Sequence, residues 1–409
     1  GDPDSDLDAG HWAMRLALSQ AAEVRLGRQR APQHEVGDHL LPYLRSANVV
    51  DGVLDLNDVK TMNFTPIEQA IFGLRDGDVL VTEGSGSRET VGVSAVWHAD
   101  LPGVVCFQNT LLRLRPRAGV TDGRYLAWWA RHAWASGQIA AVCSGANIQH
   151  IGSDGLKRLT IDVPTVEEQR RIADFLDDRV ARIDQIITAR NSQSALLIPR
   201  RRAAVAQAVA GLPKLPIRRL LRRVITGGTP GPEADSPGGL SWFSPGAFRA
   251  DLTLGQPTRS VEPSACVEFP ANTVVMVGIG ATAGKVAWLD KRASGNQQLT
   301  CLEHHPQVAE ARFLLHQLDA LGDSLLRSAP AATLPIINNE SLRAFNVAIA
   351  ELQEQHRLSE EWDSRLAQDS EISGRLERSV HLLNEYKQAL ITAAVTGELD
   401  VTTAGSGIP

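Results

Sequence analysis

Residue types that carry enzyme chemistry are present in this sequence, but their spacing forms no catalytic motif. The glycine-rich segment Gly278–Lys285 has the composition of a phosphate-binding loop, yet Ile279 stands where its first glycine belongs. Val286 likewise replaces the Ser or Thr that would hold magnesium. The segment is therefore predicted to be a turn between strands. His304–His305 lacks further metal-ligand spacing, and no His-Glu-x-x-His, Gly-x-Ser-x-Gly or Asn-Pro-Pro-Tyr motif occurs.

Cysteine usage and hydropathy predict a cytoplasmic protein without a membrane span. The four cysteines are far apart and none lies in a Cys-x-x-Cys pair, which excludes zinc ribbons and thioredoxin-like redox motifs. The acidic start of the chain, with Asp2, Asp4, Asp6 and Asp8, is unlike a basic signal peptide. The most apolar stretch, residues 273–289, is too short to span a bilayer.

Side chains suited to reading nucleic acid cluster in segments that have the composition of loops. Arg, Asn and Gln pair with guanine and adenine edges, whereas Ser, Thr and main-chain amides hold phosphates. For any single residue, a role as a turn former or helix cap is an equal alternative. The clusters lie at residues 43–48, 84–90 and 144–150 in the first half, and at 227–230, 241–244, 294–298 and 338–339 in the second.

The distribution of charge favours local contact with phosphates. The net charge of −6 comes from 41 Lys and Arg against 47 Asp and Glu, which argues against a protein that coats nucleic acid non-specifically. Eight basic residues nevertheless lie between Arg200 and Arg223 without an acid among them, and a weaker cluster runs from Arg113 to Arg131. We expect these clusters to grip a phosphate backbone. The alternative is an ordinary solvated surface.

The elements that must position these loops occur twice along the chain. A shift of 186 residues places Ile151 on Ile337, Gln169 on Gln355 and Gly211 on Gly397 without a gap. Upstream, the match continues with a drifting offset. Chance similarity of Ala-rich helices is the alternative, but the shift holds through two loops and two helix ends. Each half is therefore predicted to be a strand-rich globule followed by a helix.

The first long helix is predicted to begin at the Thr165–Glu168 capping box. Ile172, Leu176, Val180, Ile183 and Ile187 then recur at spacings of three and four, which is typical of an amphipathic helix. Pro199 should kink or break this helix, after which a short Ala-rich helix reaches Gly211.

The second long helix is predicted from near Gln353 to Gly397. Its heptad-like seam consists of Ile372, Leu376, Leu383, Tyr386 and Leu390. Because long helices need a packed apolar face, we expect the two to pair antiparallel and to hold the globules apart. The alternative is that each helix packs on its own globule.

Several strings occur in a doubled order along the chain. In the first half these are Tyr43–Val49, Asp76–Gly84, Asn147–Gly152 and Pro164–Asp177, and in the second Gly227–Pro230, Leu334–Asn338 and Ala389–Gly397. With these strings in this order, the chain resembles type I restriction-modification specificity subunits. The resemblance covers nearly the whole chain. It departs at Pro199, where such subunits usually continue the helix.

The resemblance implies an α+β fold with two mixed α/β target-recognition domains in a pseudo-repeat, separated by two long antiparallel conserved helices. The implied domains are target-recognition domain 1 (1–164), a helical spacer (165–212), target-recognition domain 2 (213–351) and a second helical region (352–409).

The resemblance also implies that the chain is a non-catalytic subunit. It would read a bipartite target in double-stranded DNA and direct adenine-N6 methylation. Two methyltransferase subunits would bind it and carry S-adenosylmethionine, with no cofactor on this chain, and an endonuclease/translocase subunit can join them.

Candidate DNA contacts follow from loop context and residue type. They are Arg45, Asn48, Ser87, Arg88, Asn147 and Gln149 in the first domain, and Thr229, Trp242, Ser244, Lys285, Asn296, Gln297 and Asn338 in the second. No catalytic or metal-binding residue is predicted. The alternatives are a two-domain assembly scaffold that does not bind DNA and a stand-alone DNA-modifying enzyme.

Overall fold

The computed structural model describes residues 13–50, 52–85, 90–145, 149–327 and 335–401. The chain divides into two compact units, residues 1–187 with 381–409 and residues 188–380. Each unit combines one globule with parts of two long helices. Within the described ranges, no helix combines the length and the apolar character that a membrane crossing requires.

The first half folds into short strands and helices followed by one long helix. In chain order these are β1 (Ala13–Ala17), α1 (Leu18–Ala21), β2 (Ala22–Leu26), β3 (Leu40–Leu44), β4 (Val49–Val50), β5 (Val53–Leu54), β6 (Lys60–Asn63), α2 (Pro66–Phe72), β7 (Val79–Thr82), β8 (Gly84–Ser85), β9 (Ser94–Val96), β10 (Cys106–Phe107), β11 (Leu111–Pro116), α3 (Gly123–Ala135), α4 (Gln138–Ala141), β12 (Gln149–His150), α5 (Ser153–Lys157), β13 (Thr160–Pro164) and α6 (Val166–Ala208).

The core of the first globule is built on both faces of β7. All four β7 residues are buried. This is expected for a strand whose side chains do not alternate between apolar and charged residues. β7 lies inside the antiparallel sheet β2-β11-β7-β9. On one face, Val79 and Val81 share a core with Trp129 of α3. On the other, Leu80 packs with Leu44 of the smaller sheet β10-β3-β6.

The second half repeats this scheme. Its elements are β14 (Lys214–Pro216), β15 (Leu221–Thr226), β16 (Asp235–Phe243), β17 (Arg259–Val261), β18 (Glu268–Phe269), β19 (Thr273–Val277), β20 (Val286–Leu289), β21 (Ala293–Gly295), β22 (Leu299–His304), α7 (Ala311–Arg327), α8 (Asn339–Ala344), β23 (Asn346–Ala348) and α9 (Leu352–Thr396).

The strand orders of the two globules correspond. The sheet β15-β22-β19-β20 matches β2-β11-β7-β9, and the pair β14-β23 matches β1-β13. In the smaller sheets, β16 pairs parallel with β21 as β3 does with β10. The pseudo-repeat predicted from the sequence is thereby confirmed.

Pro199 does not break the first long helix, so the predicted break and the separate Ala-rich helix after it were wrong. α6 is one helix from Val166 to Ala208 with the proline inside it. Proline removes a single helical hydrogen bond. The flanking helix is held by tertiary contacts, because Val205 lies in a core with Phe313 and Trp362. Such contacts supply most of a helix's stability and outweigh the local cost.

The two long helices run antiparallel. In the second unit, Val205 near the end of α6 packs with Leu358 near the start of α9. The earlier Ile198 lines a cleft with the later Ser370 of α9. In the first unit, Lys387 of α9 donates to Asp184 of α6 at 2.8 Å. The predicted pairing is confirmed, and the helices also enter the globule cores.

The heptad seam predicted for α9 is only partly buried. Leu376 and Leu390 are buried, whereas Ile372 and Tyr386 are 43% and 45% exposed. α9 also packs against globule elements, as where Trp362 stacks on Phe313 of α7 with ring centroids 5.4 Å apart. Its buried face therefore does not follow one uniform heptad stripe.

One buried glutamine ties each long helix to its globule. Gln169 of α6 is fully buried, and its amide nitrogen donates to Val120 O (2.9 Å) and Pro164 O (2.8 Å). Its amide oxygen accepts from the main-chain N of Asp122, the N-cap of α3, at 2.8 Å. One side chain therefore fixes the start of α6 against the start of α3.

Gln355 makes the equivalent contacts in the second unit. It is fully buried at the start of α9, and its oxygen accepts from Glu310 N at 2.9 Å. Its nitrogen donates to Val308 O (3.0 Å) and Ala350 O (2.8 Å). The residues that the 186-residue shift superposes are therefore equivalent in structure.

Replacement of either glutamine by leucine should destabilise its unit. Gln169→Leu and Gln355→Leu keep the approximate volume but leave a buried N–H and two buried carbonyls without their partner, which costs about 1–3 kcal/mol. Gln185→Leu, at an exposed position of α6, is the control and should change stability by less than about 0.5 kcal/mol. Denaturant unfolding compares them. Equal stability of all three variants would contradict the proposed role.

Candidate nucleic-acid interface

Main-chain hydrogen bonds join the loops that follow β15, β16 and β21 in the second globule. Gly227 N donates to Leu299 O (2.9 Å), and Asn296 N donates to Phe243 O (3.0 Å). A Cβ atom at Gly227 would lie 2.2 Å from Gly295 O, so this approach requires glycine. We call these three segments, residues 227–230, 244–247 and 296–298, the second loop cluster.

The second loop cluster brings several predicted DNA contacts together. Thr229 and Gln297 are exposed, and the Thr229 hydroxyl donates to the Gln297 amide oxygen. The half-buried Asn296 donates through Nδ2 to Gln298 Oε1 at 2.8 Å. Thr229 and Gln297 therefore present donors and acceptors to solvent, while Asn296 helps to hold the loop.

Trp242 supports this cluster from β16, and Ser244 lies within the cluster directly after β16. Trp242 is 7% exposed, and its indole N–H donates to Gly228 O at 3.0 Å. The Arg259 guanidinium lies 4.9 Å from the Trp242 ring centroid, a cation–π contact. Half-buried Ser244 shares a hydrogen bond of 3.0 Å with the Thr258 hydroxyl. In this conformation Trp242 positions the loop and has no free donor for a base.

The segment before α8 completes this region. Ile337 N donates to Gly278 O at 2.8 Å. The exposed Asn338 is the N-cap of α8, and its side-chain oxygen accepts from Ser341 N at 2.7 Å. Asn338 therefore has a structural role as a helix cap. Its side chain is exposed, and the cap uses the amide oxygen and not the amide N–H₂ group.

The first globule joins its loops in the same way. Gln108 N donates to Leu44 O (2.9 Å), Arg28 N to Phe107 O (3.1 Å) and Asn109 N to Arg28 O (2.9 Å). A Cβ at Gly27 would lie 2.2 Å from Gln108 O, as at Gly227. We call residues 27–28, 45–48 and 108–110 the first loop cluster.

Arg45 and Asn48 have different exposures within the first loop cluster. The Arg45 guanidinium is 22% exposed and pairs with Asp58 at 2.7 Å. Asn48 is 2% exposed, accepts from Arg45 N at 3.1 Å and donates to Asp55 O at 2.8 Å. As folded, Asn48 fixes the loop and does not face a ligand.

A further main-chain connection is also repeated. Ile151 N donates to Glu83 O at 2.8 Å, which corresponds to the Ile337 bond to Gly278. Next to it, Gln149 of β12 pairs with Ser85 of β8. Three predicted contacts, Ser87, Arg88 and Asn147, lie outside the described residues, as does the side chain of Gln149.

The structure adds candidates that sequence reasoning missed. A cleft of about 500 Å³ opens beside the first loop cluster. Its polar lining includes Arg30, Arg45, Lys60, Thr61, Gln108 and Thr110. The repeat could have identified Gln108, because Gln108–Asn109 aligns with Asn296–Gln297. Lys60 and Thr61 had no local signal, since they lie on β6 and reach the cleft only through strand pairing.

The basic clusters contribute less to the surface than expected. Arg201 is 6% exposed, and its guanidinium bonds to Asp319 at 3.0 Å, as does that of Arg202 at 2.8 Å. Arg113 is 1% exposed and pairs with Glu23 at 2.9 Å. The expectation of an exposed cluster that grips a phosphate backbone was wrong for Arg113, because this cation is buried and paired inside the fold. Arg201 is likewise not part of an exposed basic surface. Arg218, Arg219, Arg222 and Arg223 remain exposed.

The segment suspected of nucleotide chemistry is the turn between β19 and β20. Val277 N donates to Lys285 O at 2.9 Å, and Gly280 and Gly284 adopt positive φ angles. Lys285 is exposed there and lines a small cavity with Arg201 and Arg249. The predicted DNA contact Lys285 therefore lies at this small cavity and not in the second loop cluster.

Groups that could act as metal ligands are not assembled in the described ranges. No cluster of three or more His, Cys, Asp or Glu side chains there could hold a metal ion. Burial raises the pKa of Cys106 to about 12 and that of Cys301 to about 11. At neutral pH these thiols stay protonated and unreactive.

Residues 235–363 match a family model described as the type I restriction modification DNA specificity domain. The type I restriction enzyme StySPI specificity subunit of Salmonella potsdam is 29% identical over 175 residues, 42% of this chain and 37% of that protein. The EcoKI specificity subunit of Escherichia coli strain K12 is 29% identical over 168 residues, 41% of this chain and 35% of that protein. The matched segment thus spans little more than a third of either relative.

Two solved structures share the fold over nearly the whole chain. A chain from work on complex assembly and conformational transition of the type I R-M system has a TM-score of 0.74 at 16% identity, covering 94% of this chain and 98% of its own. The HsdS subunit from Thermoanaerobacter tengcongensis has a TM-score of 0.54 at 17% identity, covering 97% and 99%.

Replacement of Gly227 by alanine should open the second loop cluster. The new Cβ would clash with the main chain at Gly295, so residues 296–298 must move and the unit should lose about 1–3 kcal/mol. Gly246→Ala is the matched control, since nothing lies within 4 Å of its Cβ position. Thermal unfolding and hydrogen exchange of residues 295–299 measure both effects. Identical exchange in the two variants would refute the close-approach argument.

Proposed function

Because the chain belongs to the family of type I restriction-modification specificity subunits, we propose that it is the DNA-reading subunit of such a complex. It would recognise a bipartite target in double-stranded DNA, direct adenine-N6 methylation by its partners, and itself catalyse no reaction. Cleavage would follow where an endonuclease subunit joins.

The observation that carries this proposal is the occurrence of the same loop scaffold twice with different side chains. Gly27 and Gly227 make the same close approach, yet the first cluster presents the half-buried Arg45 and the second presents the exposed Thr229 and Gln297. Base identity is read by side-chain donors and acceptors, while a conserved main chain sets their position. Two clusters of different chemistry support two different half-sites.

The proposed DNA contacts remain the thirteen predicted residues, with their tasks divided. Direct contact is proposed for Arg45, Ser87, Arg88, Asn147, Gln149, Thr229, Ser244, Lys285, Gln297 and Asn338. A supporting task is proposed for Asn48, Trp242 and Asn296, because they are wholly or partly buried and bonded within their loops. Lys60 and Gln108 are added from the cleft.

The long helices are the proposed surface for two methyltransferase subunits, which would carry S-adenosylmethionine. In the first unit Leu382 and Tyr386 are 62% and 45% exposed, and in the second Leu196 and Ile372 are 65% and 43% exposed. Exposed apolar side chains on helices suit docking of partner helices. A cytoplasmic location follows from the proposed DNA target, and an endonuclease/translocase subunit is a further proposed partner.

A substitution in one loop cluster should relax one half of the methylated sequence. Gln297→Ala removes a base-reading amide, at a cost of about 1–3 kcal/mol in discrimination. The half-site read by the first globule should stay unchanged. Sequencing of N6-methyladenine in DNA modified by the reconstituted complex measures both halves. Gln307→Ala is the control, because Gln307 is exposed between β22 and α7, outside the loop clusters and the long helices. A methylated sequence without two separated halves would contradict the proposal.

The isolated chain should not bind S-adenosylmethionine. Isothermal titration of the purified full chain should release no binding heat, whereas the complex with methyltransferase subunits should give a saturable signal. Stoichiometric binding to the chain alone would favour a stand-alone DNA-modifying enzyme instead.

A further inference from the structure

A small basic cavity lies in the second unit where α6, the segment after β16 and the start of β20 meet. Its volume is about 140 Å³. Four cationic side chains and one carboxylate line it, together with apolar residues. The charged residues are Arg201, Arg202, Arg249, Lys285 and Asp319. We propose that this cavity binds a phosphate group, a function beyond DNA reading by the loop clusters.

The first support is a deficit of negative charge in a largely buried place. The side chains of Arg201 and Asp319 are 4% and 7% exposed. Asp319 is shared, since Arg202 also donates to its Oδ1 at 2.8 Å. One carboxylate cannot neutralise two guanidinium groups, and buried cations require compensation.

Two further cations increase this deficit. Arg249 and Lys285 are exposed at the cavity, and neither side chain forms an ion pair within the described ranges. They raise the net charge of the lining to +3. A phosphate dianion would offset most of that charge and accept hydrogen bonds from guanidinium and ammonium groups.

The second support is incomplete hydrogen bonding of Arg201. The Nη2 atom of Arg201 donates to Asp319 Oδ2 at 3.0 Å and to Ala250 O at 3.2 Å. Its Nε is buried without an acceptor in the described part of the chain. An ion-pair network built only for stability would leave fewer donors unused.

Size and surroundings restrict the ligand to one phosphate group. Pockets that enclose a whole small molecule measure roughly 300–1,000 Å³, so this cavity suits a group and not a nucleoside. The adjoining cleft, which shares Arg201 and Arg249, also carries Asp251, Asp369 and Glu377. These carboxylates would repel a second phosphate. The group can come from a phosphorylated small molecule or from one DNA backbone position.

Isothermal titration of the full chain with inorganic phosphate, at constant ionic strength, tests the proposal. We expect one saturable site. Lys285→Ala and Arg249→Ala should each weaken it roughly tenfold or more, because each removes a charge-assisted hydrogen bond. Lys291→Ala removes an exposed lysine of the same globule outside the cavity and should bind as the unsubstituted chain does.

Absence of a saturable site, or equal affinity in all the variants, would overturn the proposal. Thermal unfolding in chloride verifies that each exposed-residue variant is folded. A second titration, with duplex carrying the methylated sequence already bound, identifies the source. Loss of phosphate binding assigns the site to a DNA phosphate, and retention assigns it to a free phosphorylated molecule. The phosphate titration needs no DNA, so it stands even if the DNA-reading proposal fails.

Discussion

The buried amide of Gln169, and its counterpart Gln355, is the interaction on which each unit depends. Each amide satisfies a main-chain donor directly before a shorter helix, α3 or α7, and two carbonyls on different segments. Because buried polar groups must be paired, the amide admits one arrangement of these segments. The start of each long helix is thereby fixed relative to the sheet that carries the loops.

A second constraint fixes the main chain of the loop clusters. Gly27 and Gly227 allow main chain to approach main chain, so the loops are joined by hydrogen bonds that do not depend on side-chain identity. The exposed side chains can then differ between globules while their positions stay fixed. This separation of scaffold from contact chemistry explains why the two halves share topology although their loop sequences have diverged.

Periodicity and the repeat predicted the architecture well, because both follow from burial. Ile172, Leu176, Val180 and Ile183 recur with helical spacing and are buried together. Pro199 was misjudged because local propensity was weighed without the tertiary contacts around Val205. Individual site residues were harder to predict, since a loop residue of DNA-reading type can equally be a cap. Asn48 and Trp242 are buried, and Lys60 reaches the cleft only through strand pairing that no local pattern records.

The division of the chain into units has a consequence for biosynthesis. The second unit is one uninterrupted segment, residues 188–380, whereas the first includes residues 381–409. The first core contains Leu390, Ile391, Ala394 and Val395 alongside Trp129 and Ile172. Its closure must wait until α9 leaves the ribosome, and this closure brings together the ends of a loop of about two hundred residues. The globule translated first is therefore the one completed last.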